Sequence, residues 1–212
     1  MVPTVDPRGR PVSASWLALP DGSAVIESAS ASGYELLGEE HRKPAQLRST
    51  GLGILLRAVA DSGVEEVLVA LGGSATNDAG LGCAEALGFR FRYQSDPGND
   101  VLRALRTLRS VEPPDTGLDL RVTAPATVLD LRVTALADVR NPLCGPRGAT
   151  AVYGPQKGVS PDLLQSFDRA FAHFASIVRR DLRHVDTAAP GMGAAGGLGF
   201  ALAAFTRAKL RS

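Results

Sequence analysis

Val67-Leu-Val-Ala-Leu-Gly-Gly-Ser-Ala-Thr-Asn-Asp-Ala-Gly-Leu-Gly82 decides how this chain folds. A β-branched apolar run stops at a glycine pair, small polar residues follow, and an Ala/Leu-rich segment continues to Leu87. The pattern predicts a strand over Glu65 to Leu71, a Gly-rich turn and a helix ending at Leu87. A strand that feeds a helix start collects backbone N–H groups and a positive helix end at one point, which suits a phosphate or a carboxylate. Upstream, Leu52 to Ala60 has helical spacing and Gly63 is its stop, so the rhythm is that of an α/β layer.

Working outward, Ala24-Val-Ile-Glu27 is a short strand candidate, and the Pro/Gly-rich residues 1–13 suggest an extended entry or turn. Residues 94–117 are turn-rich and bracket a short basic helix. Ser160-Pro-Asp162 opens a helix: Ser160 suits the N-cap, Pro161 the first turn and Asp162 the positive end. Leu163, Leu164, Phe167, Phe171, Phe174, Val178 and Leu182 recur at helical spacing, the signature of a core stripe. A last helix is expected from about Ala195 to Lys209. Leu118-Asp-Leu-Arg-Val-Thr-Ala124 recurs as Leu129-Asp-Leu-Arg-Val-Thr-Ala135. The offset is an odd number of residues, so one continuous strand would turn the two apolar sets to opposite faces. Pro125 also opposes continuity. The copies are two strands, joined by a hairpin across Pro125 to Val128, or one copy is spare; the second is favoured as the core strand because it leads directly to Asp138.

Composition narrows the function. A chain of 212 residues with 44% apolar content can bury a substantial core, and a net charge of +1 gives no electrostatic case for nucleic acid or a membrane surface. Only 5% of residues are aromatic, which argues against base-stacking platforms. Cys83 and Cys144 do not make a disulfide framework, and reduced thiols in a cytosol are expected. No basic-plus-apolar leader and no apolar run of about 20 residues is visible.

Four segments carry candidate chemistry. In Gly72-Gly-Ser-Ala-Thr-Asn-Asp78 the backbone and the side chains of Ser74, Thr76 and Asn77 can meet an anion. Asp78 is suited to hold Mg²⁺, accept a hydroxyl proton or cap the helix. Asp138 follows a strand, where α/β sheets place ligand-contacting groups, and an Asx turn into Asn141-Pro142 explains it equally well. Lys157 in Gly154-Pro-Gln-Lys-Gly158 is either a point charge for a phosphate or a solvated surface lysine. Gly191-Met-Gly-Ala-Ala-Gly196 matches a dinucleotide fingerprint in letters only: no buried strand precedes it and no acidic residue follows. It is a Gly-rich helix start that permits close backbone approach. No P-loop and no His/Cys cluster with metal-ligand spacing is present.

Taken in order, these segments resemble the bacterial glycerate kinase family. The matching residues are Ala24-Val-Ile-Glu27 with Ala31-Ser-Gly33, Gly72 to Asp78, Asp138 with Asn141-Pro-Leu143, Gly145-Pro-Arg-Gly-Ala149, Gly154 to Gly158, and Gly193-Ala-Ala-Gly-Gly197. The resemblance implies ATP-dependent phosphorylation of D-glycerate with Mg²⁺ in the cytoplasm. It makes Asp78, Asp138 and Lys157 the candidate catalytic residues. Gly72, Gly73, Ser74, Thr76, Asn77, Asn141, Arg147, Gly193 and Gly196 become candidates for binding substrate or phosphate; no residue is assigned to the metal. Two positions depart from the family pattern: Ala79 replaces a glycine, and Thr50-Gly-Leu-Gly-Ile54 replaces an aromatic-Gly-Thr-Gly-Glu run.

The family's Pro-Asp-Ser-Phe-Lys, Ala-Asp-Gly-Gly-Glu-Gly and Thr-Gly-Glu-Gly-Arg motifs are absent. The expectation is therefore an α/β domain over residues 1–212, a mixed sheet with flanking helices. It corresponds to the family's inserted middle domain without the Rossmann-like domain, with the active site between the two. Such a chain is expected to have little activity alone, and self-association or pairing with a complementary domain is expected of its exposed face. The alternative is a non-catalytic binding module, a remnant or one half of a split enzyme.

Overall fold

The computed structural model describes residues 1–38, 43–114 and 131–211. The chain opens with an antiparallel hairpin, β1 (Val2–Val5) and β2 (Pro11–Ala14), where an extended entry or turn was expected. The Asp6 carboxylate closes its turn by accepting from the Arg8 and Arg10 backbones and from the Arg10 side chain. Two residues, β3 (Leu17–Ala18), then pair with β4 (Ala24–Glu27).

The elements that position the site follow: α1 (Ala29–Ser32), α2 (Thr50–Asp61), β5 (Glu66–Ala70) and α3 (Leu81–Ala86). After them come β6 (Arg90–Tyr93), α4 (Val101–Thr107), β7 (Leu108–Glu112) and β8 (Arg132–Leu136). The chain ends with α5 (Ala149–Tyr153), α6 (Pro161–Asp181), α7 (Ala194–Phe205) and β9 (Lys209–Arg211).

The main sheet has the order β3-β4-β5-β8-β9. Strands β4, β5, β8 and β9 run parallel, and β3 is an antiparallel edge, so the sheet is mixed as expected. Its register places Ala24 and Ile26 beside Val67 and Val69, and Val67 and Val69 beside Val133 and Ala135. All six are buried, which explains the β-branched run: a parallel strand with neighbours on both sides is apolar at the positions that face the core. Of the duplicated segment, the second copy supplies β8, in the body of the sheet. The first copy and the proposed hairpin across residues 125–128 lie outside the described residues.

Close packing of α2 on α3 depends on glycine. A Cβ at Gly53 would strike the Cys83 carbonyl, and one at Gly82 would meet the Thr50 amide. That accounts for Thr50-Gly-Leu-Gly-Ile54: it is the first turn of α2, pressed against its neighbour. The α6 stripe is core as expected, with Phe167, Phe171, Phe174 and Val178 buried, although Leu163 is exposed at its start. Phe174 joins Phe89, Phe91, Phe200 and Phe205 in one aromatic cluster. Ser160 occupies the α6 N-cap position and Pro161 the first turn, yet the Ser160 hydroxyl makes no cap hydrogen bond.

Two expectations need correction. The last helix stops at Phe205, not Lys209. Arg207 adopts a left-handed φ of 59°, the Ala208 amide returns to the Leu202 carbonyl, and Lys209 instead opens β9 beside β8. The segment around residues 94–117 contains more than turns and a helix: β7 pairs with β6 in a separate antiparallel ribbon, with Glu112 held between Arg90 and Arg92.

Candidate active site: a cleft at the carboxyl ends of β5 and β8

The loops that leave β5 and β8 enclose a cleft of about 230 Å3, where parallel sheets place their ligands. Gly72, Gly73 and Ser74 form one wall, Asp138 and Val139 another, and Tyr153, Gln156 and Lys157 a third; Tyr34, Leu71 and Ala195 complete it. A larger groove of about 730 Å3 sits at the amino ends of β5 and β8. Its Glu65 and Glu66 carboxylates face Arg132, and the smaller cleft, at the carboxyl ends of the strands, is the functional candidate.

Lys157 is the decisive side chain. It lies in a single 3-10 turn, Pro155–Lys157, and is 2% exposed, not a solvated surface lysine. Its Nζ donates to the Thr76 carbonyl at 2.6 Å and to Ser74 Oγ at 3.3 Å. Two of the ammonium's three N–H groups are thus bonded inside the protein, and the third meets no acceptor among the described residues. Burial pulls its pKa down to about 7, with the Asp78 charge acting in the opposite direction. Ser74 Oγ in turn donates to the Ala195 carbonyl. The N–H groups of Gly72, Gly73 and Ser74 meet no acceptor among the described residues.

Asp78 has a different place. It is fully buried and does not line the cleft. Its Oδ2 accepts from the Ser49 amide and hydroxyl, both at 2.8 Å, and from the Gly82 amide; Oδ1 accepts from the Gly80 amide. The anion at the start of α3 is therefore the chain's own carboxylate. Asp78 thus makes contacts with the helix-start amides of Gly80 and Gly82 of the kind expected of a cap. Ser49 was not singled out from sequence. It stands where an N-cap for α2 would stand, but its hydroxyl bonds Asp78 and accepts from the Cys83 amide instead of capping its own helix.

Thr76 and Asn77 are buried behind the cleft wall. Thr76 contributes its carbonyl to Lys157, and Asn77 Nδ2 donates to Thr150 Oγ1. Asn141 braces the loop after β8, donating to the Arg147 carbonyl and accepting from the Tyr153 hydroxyl at 2.7 Å. Arg147 is exposed and does not line the cleft. Asp138 is exposed on the rim, and the Tyr153 phenol is held above its usual range by burial and then by the Asp138 charge. Sequence reasoning missed Tyr34, Tyr153 and Gln156 as lining residues. Tyr153 carried one usable signal, an aromatic just ahead of the Gly154-Pro-Gln-Lys loop.

The glycine-rich start of α7 shapes the cleft from behind. Ala195, Gly196 and Gly197 all have left-handed φ, so the regular helix begins only after them. A Cβ at Gly196 would strike the Thr76 carbonyl and come within 2.8 Å of Lys157 Nζ, and one at Gly193 would strike the Pro142 carbonyl. The Gly193 amide donates to the Asn141 carbonyl, and the Gly196 carbonyl accepts from Ala79. Ala79 itself has φ 53°, which is why a glycine suits that position. Burial, and then the Asp168 charge, push the Cys144 thiol up to about 12, which disfavours the thiolate form.

In this mixed α/β fold the carboxyl ends of the parallel strands gather Lys157, backbone N–H groups without an acceptor among the described residues and the rim carboxylate of Asp138, an arrangement suited to a small anion. The chain belongs to the glycerate kinase family, whose model matches residues 1–212. It is 40% identical over 210 residues to the glycerate kinase of Bacillus subtilis, covering 97% of this chain and 52% of that protein. It is also 40% identical over 211 residues to the glycerate 2-kinase of Escherichia coli, with 97% and 52% covered. A crystal structure from Salmonella typhimurium LT2, assigned to glycerate kinase 2, superposes with a TM-score of 0.86 at 42% identity. It covers 99% of this chain and 55% of that one. The family is one of enzymes, and this chain spans about half the length of the curated relatives it matches.

Proposed function

We propose that this chain forms one wall of a kinase site that transfers a phosphoryl group from ATP to D-glycerate, in the cytoplasm, as the family's middle domain. The observation that carries this reading is Lys157, a buried cation with one donor left for the cleft, backed by the free N–H groups of Gly72 to Ser74. Phosphoryl transfer needs positioning and charge neutralisation more than covalent chemistry, and these groups supply both. Asp78 acts through position: it fixes the back of the loop so that Gly72 to Ser74 face the cleft. Arg147, Asn141, Gly193 and Gly196 likewise hold loops in place.

Magnesium is bound by one or two carboxylates together with phosphate oxygens, and Asp138 is the one carboxylate among the described residues lining the cleft. Asp138 would hold the ion, whose chemistry is to neutralise charge on the transferring phosphoryl group. Among the described residues no cluster of three or more metal-ligating side chains exists, so the rest of its shell belongs to substrate, water or the facing half of the site.

One wall does not complete such a site, so the 212-residue chain alone is expected to show no ATP- and glycerate-dependent turnover; measurable turnover would overturn that part. The kinase reading is tested by replacing the matching half of the Bacillus subtilis relative with this chain. ADP release that depends on D-glycerate, and is lost in Lys157→Met, supports it. A folded chimera without turnover refutes it.

A further inference from the structure

We propose that the cleft of this chain is the acid half of the site: it takes a small hydroxy acid through its carboxylate, on Lys157 Nζ and the Gly72–Ser74 backbone, and leaves the nucleotide to groups outside it. The inference deepens the kinase reading and rests on it.

Three observations carry it. The first is size. The cleft on this wall, about 230 Å3, has room for a three-carbon acid. The second is charge. Among the described residues lining the cleft, Lys157 is the one cation and Asp138 the one anion. A single carboxylate on Lys157 neutralises the buried charge and leaves the acid's hydroxyls facing the rim where Asp138 would hold the ion. A polyphosphate would bring several negative charges to one ammonium.

The third is the way Lys157 is held. Thr76 and Ser74 restrain its Nζ from behind, and Ser74 is itself tied to the Ala195 carbonyl, so the remaining N–H is fixed before any ligand arrives. Leu71, Val139 and Ala195 make apolar walls around it, and an ammonium–carboxylate contact strengthens where water is displaced. A preorganised single donor between apolar walls matches a small rigid head group.

Calorimetry on the 212-residue chain distinguishes the cases, with D-glycerate, Mg-ATP, inorganic phosphate and a panel of other small hydroxy acids as separate titrants. Saturable binding of D-glycerate at one site is expected, with Mg-ATP and phosphate silent at the same concentration. Lys157→Met should weaken acid binding about 10- to 100-fold. Lys157→Gln, which keeps a donor for Thr76, serves if the first variant does not fold. Binding of Mg-ATP through Lys157 with D-glycerate silent overturns the assignment and leaves the kinase reading standing. Binding of another small acid through Lys157, with D-glycerate silent, upholds the carboxylate assignment and refutes the kinase reading. Silence of every carboxylate on folded wild-type chain overturns the assignment.

Discussion

One loop, Gly72 to Asp78, buries or borders two charges and treats them in opposite ways. At its far end the Asp78 carboxylate accepts four hydrogen bonds from Ser49, Gly80 and Gly82, three of them at Oδ2. At its near end Lys157 is as deeply buried, yet its ammonium is bonded to only Thr76 and Ser74. A buried charge that the protein satisfies completely is structural; one satisfied in part, at the edge of a cleft, is left to be completed by a ligand. On the proposed reading the two ends of the loop divide the work: Asp78 holds the loop in place, and Lys157 with Gly72 to Ser74 meets the ligand.

This contrast can be broken. The largest effect is expected at the saturated end. Asp78→Ala strands three backbone N–H groups and the Ser49 hydroxyl, and each unsatisfied buried donor costs about 1–3 kcal/mol. A loss of about 4 kcal/mol in unfolding free energy is expected in urea titration, with Asp78→Asn losing less because one amide oxygen still accepts. A loss below about 1 kcal/mol would show that Asp78 is not the anchor.

Next comes the joint between the two ends. Gly196→Ala puts a methyl group against the Thr76 carbonyl and Lys157 Nζ at a left-handed φ of 72°. A cost of about 1–3 kcal/mol in stability, measured by thermal unfolding, should accompany a weaker acid affinity, since Lys157 has to move. Unchanged affinity in the folded variant would separate Lys157 from the binding step.

The finest test is pH. The folded pKa of Lys157 is lowered from 10.5 to about 7. Only the ammonium form has a donor and a charge for the cleft, so acid affinity should fall above pH about 7, by up to about tenfold per pH unit. Stability without ligand should move the other way. Between pH about 7 and 10.5 the unfolded chain binds the extra proton at this lysine, so its contribution rises with pH across that window. A flat binding profile from pH 6 to 9 would mean that the lysine stays charged throughout.

Much of the fold could be read along the chain because the signals are local. Val67 to Leu71 announces a buried strand through β-branching, Gly63 marks the stop before it, and the Phe167–Phe171–Phe174 stripe has helical spacing. Signals failed where partners are distant. Lys209 to Arg211 has no strand pattern of its own and is a strand only because β8 offers an open edge. The β6–β7 ribbon was obscured by arginines that the Glu112 carboxylate pairs across it.

The candidate site divides along the same line. Its location was legible in the sequence: in a helix–strand–Gly-rich-loop–helix rhythm, an apolar strand ending in Gly72-Gly-Ser delivers that turn to the carboxyl ends of the parallel strands. The order of the later segments likewise marks the family. Asp78 and Lys157, by contrast, are each a lone charged residue in a polar loop, Asp78 open to catalysis or capping and Lys157 to a phosphate or solvent. Only the tertiary structure separates them, because burial and hydrogen-bond saturation depend on Ser49, Thr76 and Gly196, brought together from three distant parts of the chain.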